Sequence, residues 1–168
     1  MEDKSAHLVA CIPRLRRYAR ALLGNRAAAD DLVQDTMERG WSKLSSWRPG
    51  SDMRAWLFGI MHNLYIDQSR KALLPTEALD EQTPEPAVNA TQMVGLEIRD
   101  MESALRMLPA EQREILLLVA LEEMSYEDIG ATLGIPIGTV MSRLSRGRER
   151  LRAIMEGRPL VTPLKVVK

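Results

Sequence analysis

Disulfides have almost nothing to form from in this chain: Cys11 is its one cysteine. That excludes an internal disulfide framework and suits a reducing compartment. Aromatic residues are nearly as scarce, at 4 %. No apolar run approaches the roughly 20 residues needed to span a bilayer. The start, MEDKSAHLVACIPRLRR, lacks a basic stretch followed by an apolar core, so no signal peptide is expected. These absences predict a cytoplasmic protein without direct membrane insertion. Catalytic signatures are missing too. There is no P-loop, no GxSxG, no CxxC and no carboxylate pair with a reason to share a proton. No catalysis, small-molecule substrate or cofactor is therefore expected of this chain. His7 and Cys11 are four residues apart and can share a helix face, but two ligands fall short of a metal site. Cys11 is expected to act as a small buried hydrophobe.

Net charge is also absent, with 23 Lys and Arg against 23 Asp and Glu. The balance conceals a separation along the chain. Residues 1–72 carry +4, residues 73–107 carry −5, residues 108–135 carry −5 and residues 136–168 carry +6. Such blocks suggest two basic surfaces held apart by acidic material.

What is present is helix-forming. Hydrophobic residues make up 45 % of the chain, with ten methionines, which argues for a folded protein. Leu8, Ile12, Leu15, Ala19 and Leu22 recur at helical spacing and stop at Gly24. Pro13 interrupts that pattern, so the helix is expected to begin there. Asn25 can cap a second helix with an apolar stripe of Ala29, Leu32, Val33, Met37, Trp41 and Leu44. SSWRPGS reads as a loop. Asp52 can cap a third helix, with stripe Met53, Trp56, Leu57, Ile60, Met61 and Leu64. Three amphipathic helices with short connections predict a small bundle over about residues 1–73, enclosing Trp41 and Trp56.

Periodicity then collapses. LPTEALDEQTPEPAVNATQ, with three prolines, four acids and no base, reads as a flexible linker over 74–92. Helical spacing resumes through Met93, Leu96, Met101, Leu105 and Leu108, and Pro109 can open a further helix through the run ILLLV. A second domain is expected over 93–157. The tail, 158–168, stays unassigned. The fold class predicted is all-α, two small helical domains joined by a linker.

The stretch SYEDIGATLGIPIGTVMSRLSRGRERLR holds the densest information. Ser125 followed by Asp128 is a capping-box-like start. Ile129 and Leu133 face inward, Gly134 sits at a sharp turn and Pro136 favours a fresh start. Val140 and Leu144 give the next helix its inward face, and small Gly130 lies where the two helices would approach closely. This is a helix-turn-helix pattern, whose second helix enters the DNA major groove. Its outward face is Ile137, Gly138, Met141, Ser142 and Ser145. Arg143, Arg146, Arg148, Arg150 and Arg152 flank it where phosphates would run. Phosphate contacts supply affinity and register, and base contacts supply specificity.

At this point the residues resemble a known family. LPAEQREILLLVALEEMSYEDIGATLGIPIGTVMSRLSRGRERL is similar to region four of the extracytoplasmic-function sigma factors of bacterial RNA polymerase. ADDLVQDTMERGW, residues 29–41, resembles the region-two stretch that docks on the polymerase. RAWLFGIMHNLYIDQSRK, residues 54–71, resembles the segment that opens and reads the −10 element. The resemblance covers about residues 10–155. It implies docking on core RNA polymerase by Asp31, Leu32, Gln34, Asp35 and Glu38. It implies contacts to −10 promoter DNA by Arg54, Phe58, His62, Asn63, Arg70 and Lys71. Asn63 falls where the family captures an unstacked base, and Phe58, off the apolar stripe, is the better candidate than Trp56 for stacking on melted bases. Contacts to the −35 element are implied for Ile137, Gly138, Thr139, Met141, Ser142, Arg143, Ser145, Arg146 and Arg148. A cognate anti-sigma factor is implied as a further partner.

Two other classes compete. A sigma-like decoy that titrates an anti-sigma factor would tend to lose its DNA-reading residues, yet the arginines around Ser142 are present. A one-component repressor would need a ligand or dimerisation domain, which residues 1–72 do not resemble.

Overall fold

The computed structural model describes residues 3–73 and 93–157. The expected linker over 74–92 and the tail over 158–168 lie outside those residues. The described residues form helices, in agreement with the all-α reading.

Local chemistry sets most of the boundaries. Asp3 accepts from the Ser5 amide at 2.9 Å and starts α1 (Lys4–Ala10). After a break at Cys11, α2 runs Ile12–Leu23 with Pro13 in its first turn, where a missing N–H is harmless. The expected start at Pro13 therefore holds to within a residue, but Leu8 belongs to a separate short helix. Gly24, at φ 66°, ends α2 in the left-handed conformation that favours glycine. Asn25 accepts from the Ala28 amide at 3.1 Å and opens α3 (Arg26–Ser42). A 3-10 turn (Leu44–Ser46) follows. The Asp52 carboxylate accepts from the Arg54 amide at 2.9 Å at the head of α4 (Met53–Leu73). The second half comprises α5 (Met93–Arg106), α6 (Ala110–Ala120), α7 (Tyr126–Leu133) and α8 (Ile137–Met155).

Two bundles result, and they pack on each other. α1 to α4 enclose Leu8, Leu15, Leu22, Leu32, Leu57 and Met61. α6 to α8 enclose Ile115, Leu118, Ile129, Val140 and Leu144. The buried residues nevertheless form one continuous hydrophobic cluster. α2 lies against α6 and α4 against α7. A Cβ on Gly59 of α4 would sit 3.5 Å from the Thr132 carbonyl of α7, so these helices approach closely. Arg113 of α6 ties the ends together. Its guanidinium donates to the carbonyls of Leu105 at 2.7 Å, and of Arg106, Leu108 and Leu22 at 2.9 Å. One cation thus occupies the carbonyl-rich C-terminal ends of α2 and α5, where positive charge is favoured.

Three aromatic positions depart from the sequence reading. Phe58, expected off the buried stripe, is 2 % exposed, with its ring edge-on to Tyr18 at 4.9 Å. Helix α4 is covered on more than one side, so a single apolar stripe underestimates what it buries. Trp41, expected in the core, is 58 % exposed. The inward position is held by Gly40, where a Cβ would approach within 2.8 Å of Leu57. Trp47, read as loop, is buried with Lys4 stacked above its ring at 5.9 Å.

Phe58→Ala should therefore destabilise the fold by about 3–5 kcal/mol, as for other buried phenylalanines. Trp41→Ala should stay within about 0.5 kcal/mol of the parent, as for surface positions. Urea unfolding followed by circular dichroism measures both. Equal losses would contradict the assignment of Phe58 to the core.

Candidate nucleic-acid and polymerase interfaces

The helix-turn-helix assembles from its capping chemistry. The Ser125 hydroxyl accepts from the Asp128 amide at 3.1 Å and starts α7. Gly134, at φ 70°, turns the chain, and the Ile135 amide donates back to the Gly130 carbonyl at 3.0 Å. A Cβ on Gly130 would lie 2.9 Å from the Ile135 carbonyl, so the turn closes tightly over that glycine. Val140 and Leu144 are buried against α7. Gly147, which the sequence reading did not single out, is buried against Leu116 and Gln112 of α6 and lets α8 lie close along it.

The opposite face of α8 is open. Ile137 and Met141 are 46 % and 53 % exposed, and Gly138, Ser142, Ser145, Arg146 and Arg148 are exposed beside them. Thr139 and Arg143 are half-buried. Arg143 faces Glu111 at 3.7 Å.

On α3, Asp31, Gln34, Asp35 and Glu38 are exposed along one face. Gln34 donates to Glu38 at 3.3 Å, and Gln68 of α4 donates to Asp35 at 3.5 Å. Leu32, grouped with them in the resemblance, is fully buried and serves the core instead. It is removed from the docking face.

The α4 set is divided. Asn63, Arg70 and Lys71 are exposed. Phe58 is buried and cannot stack on bases in this arrangement. Arg54 and His62 point at the second bundle. His62 Nδ1 lies 2.8 Å from Oε1 of Glu114, a carboxylate on α6 that is itself 4 % exposed. Arg54 donates to the Glu122 carbonyl at 3.0 Å and sits 3.7 Å from its carboxylate.

Glu122 is the centre of this contact. Its side chain is fully buried at the turn after α6. Arg14 approaches at 3.8 Å, Arg17 at 3.5 Å and Arg54 at 3.7 Å. Arg17 also donates to the neighbouring Leu121 carbonyl at 2.9 Å. Burial pushes the Glu122 carboxyl above its usual range, and the three guanidinium groups pull it back only in part. Its Oε2 has no hydrogen-bond partner. The next residue, Glu123, has φ 51°, unusual for a residue with a side chain. Nothing in the local sequence marks Glu114 or Glu122, because their partners lie 52 and 68 residues away.

A helix-turn-helix with an open, arginine-flanked recognition helix, packed on an acidic-faced helical bundle, is the arrangement of a DNA-directed module. Comparison with known proteins specifies the class further. Residues 8–62 match the sigma2 domain of PhyR, and residues 98–151 match region four of the sigma-70 proteins. The chain is 39 % identical over 149 residues to the ECF RNA polymerase sigma factor EcfG of Rhodopseudomonas palustris, covering 88 % of this chain and 82 % of that one. It is 33 % identical over 149 residues to SigW of Bacillus subtilis, covering 78 % and 77 %. Among solved structures, the sigma factor RpoE in complex with the anti-sigma factor NepR from Bartonella quintana superposes with a TM-score of 0.76 at 37 % identity, over 93 % of this chain and 98 % of that one. The chain belongs to the extracytoplasmic-function family of RNA polymerase sigma factors. The anti-anti-sigma factor PhyR from Bartonella quintana shares the fold at 17 % identity with a TM-score of 0.61, over 89 % of this chain and 49 % of that one.

The buried cluster should show strong coupling. A double-mutant cycle of Arg54→Ala and Glu122→Ala, read by urea unfolding, should give about 1–3 kcal/mol of interaction energy, as for contacting network residues. The same cycle on Arg143 and the exposed Glu111 should give less than about 1 kcal/mol. Additivity at the first pair would remove Glu122 as the link between bundles.

Proposed function

We propose that this chain carries core RNA polymerase to a promoter set that answers a stress or other signal, and acts in the cytoplasm. The observation carrying this reading is α8, which keeps its outward face open while α7 and α6 buttress its other side. In this reading residues 93–157 are the region-four domain. Ile137, Gly138, Thr139, Met141, Ser142 and Ser145 meet base edges of the −35 element, and Arg143, Arg146 and Arg148 meet phosphate. Residues 1–73 are the region-two domain, docking through Asp31, Gln34, Asp35 and Glu38 and reading the −10 element through Asn63, Arg70 and Lys71. Residues 74–92 join the two.

Arg54 and His62 belong to the −10 face only once the bundles separate, since Glu122 and Glu114 now hold them. The free chain is thus closed over half of one reading surface, and polymerase docking must replace that contact. A protein that favours the closed form would restrain the factor. The similar RpoE structure is itself a complex with an anti-sigma factor, which supports such a partner for this chain. The decoy alternative is less well supported, because α8 retains its arginines and the identity to sigma factors exceeds that to PhyR.

Run-off transcription with purified core polymerase and a genomic promoter pool tests the reading. Promoter-specific transcripts that require this chain are expected, and their absence would overturn it. Within that assay, Asp31→Arg with Asp35→Arg should lower affinity for core polymerase while helicity stays unchanged. Arg146→Ala should weaken binding to all −35 sequences and reduce the salt slope by about one. Replacements of Met141 or Ser142 should change which bases are preferred. Sequence-blind losses from both kinds would remove the assignment of roles along α8.

A further inference from the structure

The contact between bundles creates a second feature that shares no residue with either reading face. Helix α2 of the first bundle and α5 of the second flank a groove of about 610 Å³. Small-molecule sites span roughly 300–1,000 Å³. Arg16, Arg17, Arg20, Arg26 and Arg106 line the groove, with one carboxylate, Glu102. Some of this charge is engaged. Arg17 lies 3.5 Å from Glu122, Arg20 lies 3.7 Å from Asp30, and Arg106 donates to the Gly24 carbonyl at 3.2 Å. Arg16 and Arg26 are exposed and have no ion-pair partner among the described residues. Arg26 also opens α3, a 17-residue helix whose first-turn amides favour an anion. The remaining lining includes Pro13, Ala21, Leu105 and Leu121, and no aromatic ring.

We propose that this groove binds a nucleoside polyphosphate, with its phosphates on the arginines and its base on the aliphatic lining. Charge is the first reason. Counting Glu122 and Asp30 with Glu102, five guanidinium groups face three carboxylates. The surplus is concentrated in one small groove, and a polyphosphate chain brings several negative charges within a short length. Guanidinium also matches phosphate geometrically, pairing with it as a planar fork. The lining is the second reason. An inorganic anion would leave Leu105 and Leu121 unused, whereas a heterocycle can rest on them. Guanidinium planes stack on aromatic rings, so an arginine can cover the other side of such a base. A nucleic-acid strand fits less well. Strands are held on successive aromatic platforms, and this groove has none. Because one wall comes from each bundle, the site is complete only while they are packed together. The proposal stands apart from the sigma-factor reading, since it uses none of the residues assigned to polymerase or promoter.

The test is isothermal titration calorimetry on the full chain at about 0.15 M salt, where screening over roughly 8 Å damps loose charge attraction. The probes are ATP, GTP, their nucleosides, inorganic tripolyphosphate and a single-stranded oligonucleotide. The tighter of ATP and GTP should bind at least about tenfold better than tripolyphosphate and than its own nucleoside, a difference of roughly 1.4 kcal/mol. Arg16→Glu with Arg26→Glu should remove at least that factor while the circular dichroism melting curve stays unchanged, since both side chains are exposed and otherwise unengaged. Arg16→Gln with Arg26→Gln should show a smaller loss in the same direction, which separates lost charge from any disturbance by the new acids. Arg146→Glu with Arg148→Glu on α8 should leave the nucleotide affinity unchanged, which separates the groove from a general attraction to basic surface. Tripolyphosphate binding as tightly as either nucleotide would overturn the proposal. So would binding that survives the loss of Arg16 and Arg26, an equal loss from the α8 variant, or tighter binding of the oligonucleotide. None of these outcomes bears on the sigma-factor reading, which run-off transcription tests by itself.

Discussion

A carboxylate with no access to solvent, facing three guanidinium groups, decides how the two halves of this molecule sit. Removing Glu122 from water costs several kcal/mol, and only close cations offset that. Arg14 and Arg17 come from α2, and Arg54 comes from α4. The second bundle supplies the anion. Neither half can satisfy these groups alone with the same geometry. Buried ion pairs contribute little net stability compared with well-packed apolar residues, but breaking one by removing a partner is strongly unfavourable. The cluster adds direction to an interface whose packing is otherwise apolar, and Arg14 and Arg17 keep contact with solvent while they face it. The apolar contacts around it, from Tyr18 and Phe58 across to α6 and α7, are free of directional demands and follow that placement.

The same placement sorts the proposed DNA-facing residues into exposed and engaged. α8 turns its outward face away from the interface, so the proposed −35 surface stays open while the bundles are packed. α4 turns Arg54 and His62 into the interface while Asn63, Arg70 and Lys71 stay outside. In the proposed reading Arg54 exchanges the Glu122 carboxylate for DNA phosphate when the bundles part.

How much of this was legible in the sequence follows from where each signal lives. The helix-turn-helix could be read because its determinants are local: a serine cap, a left-handed glycine, a proline at the next start and two inward aliphatics. The exposed acids of α3 were readable for the same reason. Phe58 and Trp41 were misplaced because a stripe assumes one buried face per helix. α4 buries more than one, and in α3 a glycine takes the inward position beside the tryptophan. Leu32 entered the docking set through its neighbours in the motif, although its own place in the period puts it in the core. Glu114, Glu122 and Arg113 carried no signal at all. The two glutamates act through partners brought near only by the packing of the two bundles, Arg113 reaches across to the Leu22 carbonyl in the same way, and a buried glutamate inside EILLLVALEE looks like any solvated one.

The segregated charge of the chain gains a physical reading from these contacts. The segment 108–135 carries −5, and its two buried acids are the ones that meet the arginines and histidine of the first bundle. Glu114 and Glu122 meet Arg14, Arg17, Arg54 and His62 of the first bundle, while Arg146 and Arg148 of α8 stay exposed. In the proposed reading, a chain with no net charge approaches DNA through α8 first and gains its second reading surface only when another protein offers the first bundle a better partner than the second bundle does. On that reading, the ion pairs that join the bundles of the free chain are what make recognition of the full promoter conditional on polymerase.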